Sequence, residues 1–224
     1  MIVGNGLIAK SFMNEDHADI TLFASGVSNS LETNPYEFKR EEELLIANLK
    51  HSDNKLFIYI STCSVYDPSK QGSAYVKHKL AMESIVESMA NKYLIFRASN
   101  VVGHGGNPNL LMNYLYNRLH SGEIITVFEY AQRNFIDIKD MVKIVMHSLR
   151  SGKSNSIINV AYKSNFSSVE IIEEFENIFN KKFNKIFENR GTGYSIEVDD
   201  YDCIFDKSVS KNEYLSLMIK NYYK

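Results

Sequence analysis

Apolar positions along this chain follow two rhythms that alternate. Short runs rich in β-branched and aromatic residues, at 1–3, 20–24, 57–60, 93–96, 124–128 and 156–160, read as strands. Between them lie longer stretches with helical spacing. Residues 36–49 set apolar Phe38, Leu45, Ile46 and Leu49 against a charged face of Lys39, Arg40, Glu41 and Glu42, an amphipathic helix. Residues 74–91 carry Val76, Leu80, Ile85 and Met89 without a proline. Residues 109–120 read as a helix ended by Gly122, a further helix runs to Leu149 before Gly152, and Ser167-x-x-Glu170 opens another to Phe179 as a capping box. Strands alternating with helices predict an α/β fold, a compact Rossmann-type parallel sheet with helices on both faces. Beyond Lys181 the pattern weakens to expected strands at 185–187 and 195–198 and a last helix at 212–222. The expected division is a dinucleotide-binding core at 1–160, with a substrate-loop excursion at about 103–135, and a small C-terminal substrate lobe at 161–224.

The first half of this sheet is short. Between Gly6 and Phe57 there is room for one strand, 20–24, and one helix, 36–49. A full mononucleotide-binding half needs two more strands with their crossover helices. The strand at 20–24 is therefore expected directly beside 1–3, with no strands outside it on that edge.

Composition narrows the classes. A chain of 224 residues can bury a sizeable core as one large domain, or one large and one small. A formal charge of −2 gives no reason to expect nucleic acid or an anionic membrane as partner. Cys63 and Cys203 form neither a disulfide framework nor a metal-ligand spacing. No apolar run approaches the ~20 residues of a membrane span, and the chain opens directly into a strand, so a cytoplasmic protein is expected.

The chemistry gathers at 58–79. The strand tip carries Ser61 and Thr62, and Ser73 opens a helix on which Tyr75 and Lys79 lie one turn apart. A phenol with a reference pKa near ~10 is a poor base at neutral pH, and a nearby ammonium favours the phenolate. The strand hydroxyl can hold the same substrate oxygen. With 14 tyrosines, about one Tyr-x-x-x-Lys arises by chance. Tyr66 and Lys70 are such a pair, but Pro68 lies between them, so they are not expected to share a helical face.

At the start, Gly4-Asn5-Gly6-Leu7-Ile8-Ala9 is a G-x-G-x-x-A between a strand and a helix, the arrangement that lets backbone approach a pyrophosphate. The acidic residue expected about 20 positions on is missing: Thr21 to Gly26 hold no carboxylate and no arginine. The Gly- and Asn-rich loop at 104–108 follows a strand, where α/β sheets place ligands. Its His104 reads as a solvated loop histidine rather than an acid or base.

With these residues in view, the chain resembles the extended short-chain dehydrogenase/reductase family, the NAD-dependent epimerase/dehydratases that act on nucleotide-linked sugars. Four blocks match in order: GNGLIA, ISTCSVYD with Tyr75 and Lys79, FRASNVVG, and RNFIDIKD. The resemblance implies that Tyr75 is the acid/base, that Lys79 binds the nicotinamide ribose and tunes the phenol, and that Thr62 polarises the substrate oxygen. It implies a cofactor site of Gly4, Asn5, Gly6, Leu7, Ile8, Ala24, Ser25 and Gly26 with Tyr75 and Lys79. Asn100 and Arg133 resemble the residues lining the sugar-nucleotide site. By the same resemblance the run at 20–24 matches the family's fourth strand, so the strands carrying adenosine contacts are lacking and NAD or NADP should bind weakly. Sugar 4,6-dehydratases carry Asp-Glu after the threonine; here those positions are Cys63 and Ser64. The implied activity is thus 4-keto reduction or epimerisation of a nucleotide sugar, in surface-polysaccharide synthesis, by a homodimer paired through the helices at 36–49 and 74–91. The alternative is a non-catalytic relative that binds a sugar nucleotide or a partner subunit.

Overall fold

Alternation within single strands builds the layers of this protein. The computed structural model describes residues 1–15, 19–52, 54–199, 201 and 203–224. Its elements begin β1 (Ile2–Val3), α1 (Leu7–Ser11), β2 (Ile20–Phe23), α2 (Pro35–Lys50), β3 (Leu56–Thr62), a 3₁₀ turn (Cys63–Tyr66), α3 (Ala74–Met89) and β4 (Tyr93–Ala98). They continue β5 (Asn100–Val102), α4 (Leu111–Ser121), β6 (Ile125–Phe128), β7 (Gln132–Arg133), β8 (Phe135–Asp137), α5 (Ile138–Arg150) and β9 (Ser156–Val160). The last are β10 (Phe166–Ser167), α6 (Ser168–Phe179), β11 (Lys185–Glu188) and α7 (Lys211–Tyr223).

Five strands form a parallel sheet in the order β1-β2-β3-β4-β9. On β3, Ile58 and Ile60 join Phe12, Phe96, Ile144 and Val145 on one face, under α1 and α5. Phe57 and Tyr59 join Leu45, Leu49, Met82 and Val86 on the other, under α2 and α3. Successive strand side chains point to opposite faces, so one strand anchors both layers. Each fully buried Phe or Ile stabilises the fold by roughly 1.5–3 kcal/mol. β2 does lie directly beside β1, but it is interior, between β1 and β3. The edge is the two-residue β1, and among the described residues no strand pairs outside it.

The caps are local and sequence-encoded. Asn34 accepts the Tyr36 N–H with Pro35 at the first helical position of α2, Ser73 accepts the Val76 N–H at α3, and Ser167 with Glu170 closes a capping box on α6. Gly122 ends α4 at φ +74°, where a side chain would be strained.

The last third builds a second apolar cluster. Met112, Leu115 and Leu119 of α4 pack with Phe175 of α6 and Leu215, Met218 and Ile219 of α7. β6 pairs with β11 and β7 with β10, so the segment at 103–135 packs with residues beyond 161. β5 pairs with β8. The Tyr214 hydroxyl accepts the Asp137 N–H at 2.9 Å and donates to Asp140 Oδ2 at 3.0 Å, and Tyr222 donates to Asp137 Oδ1 at 2.8 Å. These bonds fix α7 against the start of α5. Among the described residues no helix is long and apolar enough to cross a membrane.

Two expectations are corrected. Residues 195–198 make no strand; side-chain tethers replace the ladder there, with Asn159 Nδ2 donating to Glu197 O at 2.7 Å and Asn165 Nδ2 to Tyr194 O. On α3, Leu80 and Met89 are each 40% exposed. The buried face is Tyr75, Val76, Lys79, Met82, Glu83 and Val86, because two charged residues occupy it and turn the apolar stripe aside.

Candidate active site

The glycine turn stands at the C-terminal end of the sheet. Gly4 has φ +129°, and a Cβ there would lie 2.5 Å from Ala24 O, so only glycine lets the turn back onto the end of β2. Gly6 precedes α1, and a Cβ on it would meet nothing within 4 Å. Asn5 is exposed and Leu7 and Ile8 half-buried. Ala24, Ser25 and Gly26 continue from β2 beside the turn. An arginine does reach them, from α2: Arg40 donates to Ser25 O at 3.3 and 3.4 Å while its Nε pairs with Glu37 at 3.1 Å.

Thr62 ends β3. Its Oγ1 accepts the Ser64 N–H at 3.0 Å as the cap of the 3₁₀ turn, and the Thr62 side chain is a polar neighbour of the Tyr75 phenol. Ser73 seats Tyr75 in the first turn of α3, 6% exposed. Burial pushes the phenol up, the Thr62 side chain pulls it back, and Glu41 and Cys63 push it up again, to about 12. This is opposite to the lowering expected from Lys79. Burial is the main reason, and the Glu41 charge, from another helix, adds to it.

Lys79 is spent on that residue. Its Nζ donates to Glu41 Oε1 at 2.9 Å, to the Tyr59 hydroxyl at 3.1 Å and to Ile60 O at 3.4 Å. An ammonium has three donors. Glu41 is fully buried and also accepts from Tyr59 Oη at 2.7 Å, His78 Nε2 at 3.1 Å and the Val27 N–H at 2.6 Å. Burial alone would raise its carboxyl, but the Lys79 charge and then these hydrogen bonds hold it well below the usual range. The His78 ring stacks on Phe38 at 4.6 Å. Gly26 makes room for the cluster, since a Cβ there would lie 2.5 Å from Lys79 Nζ and 2.7 Å from Glu41 Oε1.

The other candidates lie around the same strand tips. Asn100 gives its amide to Asn134 O at 2.7 Å. Arg133, on β7, donates to Gln132 O at 2.7 Å, and its charge acts on Lys70 and on Tyr194. Tyr194 is pushed up to about 12, by burial first and then by the Asp67 charge. His104 is exposed and edge-on to Tyr222 at 5.0 Å. Tyr66 and Lys70 part company: Tyr66 Oη donates to Asn159 Oδ1 and accepts from Arg97, both at 3.0 Å, whereas Lys70 Nζ donates to Ser30 Oγ at 2.8 Å. Arg97 also pairs with buried Glu83 at 2.6 Å, and Ser61 donates to that carboxylate.

A nicotinamide dinucleotide fits this site at one end. Open space at Gly6, beside free N–H groups, suits a pyrophosphate. At the other end, every Lys79 donor is already taken within the protein, so the ribose contact does not fit the arrangement described.

Glu41, Tyr59, His78, Lys70, Tyr194 and Arg40 are the site residues that reading the chain missed. For Glu41 a signal existed. Phe38, Glu41, Leu45 and Leu49 form one stripe at helical spacing, and a lone carboxylate on such a stripe must find a buried partner.

The family model for the NAD dependent epimerase/dehydratase family matches residues 10–161. The human dTDP-D-glucose 4,6-dehydratase is 27% identical over 135 residues, covering 53% of this chain and 39% of that protein. The chain thus spans about two fifths of the length of this curated relative. Among solved structures, UDP-glucuronic acid 4-epimerase from Bacillus cereus with NAD superposes with a TM-score of 0.67 at 22% identity, covering 98% of this chain and 79% of that one. RMD from Pseudomonas aeruginosa with NADPH gives 0.67 at 16% identity, covering 98% and 87%. These likenesses establish a shared fold.

Proposed function

The chain belongs to the NAD dependent epimerase/dehydratase family, and from that premise we propose that it is an enzyme that modifies a nucleotide-activated sugar with a nicotinamide cofactor, by 4-keto reduction or epimerisation. The observation that carries this reading is the Thr62–Tyr75 hydroxyl pair at the tip of β3. Such a pair can hold a sugar oxygen and pass a proton to or from it. The cofactor, when bound, supplies hydride chemistry.

The chain's own residues divide the remaining work. Gly4 to Ile8 and Ala24 to Gly26 cradle the dinucleotide through backbone. Thr62 orients the substrate oxygen, and Tyr75 donates or removes its proton. Arg133, joined by Lys70, meets the substrate's phosphates, and Asn100 lines the sugar side. Residues 1–160 act as the cofactor-binding core and 161–224 as the substrate lobe. Absence of a carboxylate at Cys63 and Ser64 speaks against elimination of water, which needs a further acid and base. Exposed Leu80 and Met89 on α3 suit a homodimer through α2 and α3, and the role belongs to surface-polysaccharide synthesis in the cytoplasm.

One observation favours a second reading, a non-catalytic relative: Glu41 occupies the Lys79 ammonium. The test incubates the purified chain with NAD(H) or NADP(H) and a panel of UDP- and dTDP-linked sugars and their 4-keto forms, following products by mass and absorbance at 340 nm. Turnover of any of them supports the enzyme. Binding of a nucleotide sugar without turnover supports the second reading.

A further inference from the structure

Glu41 does not behave like a solvated helix charge. It comes from α2, yet its carboxylate reaches across to β3 and α3, where it meets Lys79, Tyr59, His78 and the Val27 N–H. The Lys79 side chain is 4% exposed and that of Glu41 fully buried, so neither charge is answered by water. We propose that Glu41 is a positioning residue for the Tyr75 phenol: as a buried counterion it fixes the Lys79 ammonium, withholds that charge from the phenol, and keeps the phenol protonated as a proton donor.

This rests on the reading of Tyr75 as the proton-transfer group, but the physical claim concerns the free protein. The titratable and charged groups of the phenol and of the Glu41–Lys79 cluster beside it come from several elements. Thr62 and Cys63 lie at the strand tip and 3₁₀ turn, Glu41 on α2, and Tyr59 on β3. His78, Lys79 and Glu83 lie on α3, with Arg97 bound to Glu83 from β4. Of these, Lys79 and Arg97 are each paired to a buried carboxylate. Releasing Lys79 therefore alters the field at Tyr75 without touching the phenol, whereas Arg97 stays held by Glu83. A neutral phenol can give a proton to a substrate carbonyl oxygen, and a phenolate can only take one from a hydroxyl. Glu41 would thus incline the site toward reduction of a keto sugar.

The experiment labels tyrosine at 13Cζ, assigns Tyr75 with Tyr75→Phe, and titrates the phenol by NMR without cofactor or substrate. In Glu41→Gln, which keeps the shape and removes the charge, the Tyr75 acid dissociation constant should rise about tenfold or more. In Lys79→Met the added effect of Glu41→Gln should vanish, since an unpaired buried carboxylate takes up a proton. An unmoved Tyr75 titration in Glu41→Gln, or an undiminished effect in the Lys79→Met background, overturns the inference. For the wild type, where no variant must fold, the 15N ammonium signal of Lys79 should be protected from exchange, with contacts to Tyr59; a freely exchanging signal overturns it. A shifted Tyr75 in a protein that turns over no sugar nucleotide refutes the enzymatic reading and leaves this inference standing.

Discussion

Two buried carboxylates in this protein hold lysines, and they do so differently. Glu176 on α6 accepts the Phe183 N–H at 3.0 Å and pairs with Lys182 at 2.8 Å and Lys185 at 2.5 Å. The Lys182 side chain is 79% exposed, so its charge stays in water while its stem covers the carboxylate. Glu41 has the opposite arrangement, with Lys79, Tyr59 and His78 all buried around it. The first carboxylate staples the return from α6 to β11. The second takes two charges out of water, a cost offset only because each polar atom finds a partner. A buried carboxylate becomes informative once the location of its partner's charge is known.

Removal of each carboxylate should separate the two regions most sharply. Glu41→Ala strands an ammonium in the core and should cost about 3–5 kcal/mol. Glu176→Ala leaves lysines that can solvate themselves and should cost about 1–2 kcal/mol, chiefly through the bare Phe183 N–H. Urea unfolding of both variants measures the gap. Equal losses would erase the distinction drawn between them.

The next effect concerns catalysis in the Glu41 region. Tyr75→Phe should lower kcat by about 10²-fold or more, the range supplied by general acid–base groups. Tyr66→Phe should retain most activity, because that hydroxyl serves Arg97 and Asn159. If the two variants lose activity equally on whichever sugar nucleotide is turned over, proton transfer does not belong to Tyr75.

Much of this contrast is written in the chain, though not all. Strand 156–160 and the capping box at Ser167 are legible because both signals are local, a short apolar run and a side chain reaching its own backbone. The neighbourhood of β1 and β2 follows from lengths, but which of them is the edge does not, since β3 pairs on the far side of β2. The Glu41–Lys79 pair joins residues 38 positions apart on two helices, and periodicity assigns a face without naming what lies across it. The same limit explains Leu80 and Met89: apolar spacing points to a stripe on α3, whereas the core face carries Lys79 and Glu83. Residues 195–198 alternate like a strand, yet beside the edge strand β9 they are held by the Asn159 side chain instead of a backbone ladder.

A smaller effect lies in acid. Burial would raise the Glu176 carboxyl, but hydrogen bonds from Lys182 and Lys185 and from the Phe183 N–H pull it down to about 2 from an ordinary 4.5. A folded-state value below the unfolded one contributes stability that is fully present above the unfolded value and is lost as pH falls through the folded one. The Tm difference between wild type and Glu176→Gln should therefore be constant above about 5, shrink between about 4.5 and about 2, and vanish below. A difference that persists below about 2 would locate the Glu176 contribution in packing rather than charge.

The smallest expected effect is the discrimination between NAD and NADP. The glycine turn offers a pyrophosphate open space at Gly6, but the edge strand is β1, with no strand outside it among the described residues to carry adenosine contacts. Lys79 is committed to Glu41, so the ribose at the far end gains little. Each missing charge-assisted hydrogen bond is worth roughly 1.5–3 kcal/mol, which places both cofactors at dissociation constants on the order of 10–1000 μM. Selectivity between them has a candidate in Arg40 at Ser25 O, whose guanidinium already pairs with Glu37. A half-neutralised, solvent-exposed arginine attracts a 2′-phosphate weakly, and no carboxylate stands at 21–26 to repel it. The two constants should thus agree within about tenfold by calorimetry. Glu37→Gln, which releases Arg40, should then shift the ratio toward NADP by a few-fold. A wild-type preference well beyond tenfold for either cofactor would mean that the adenosine end is recognised by groups other than these.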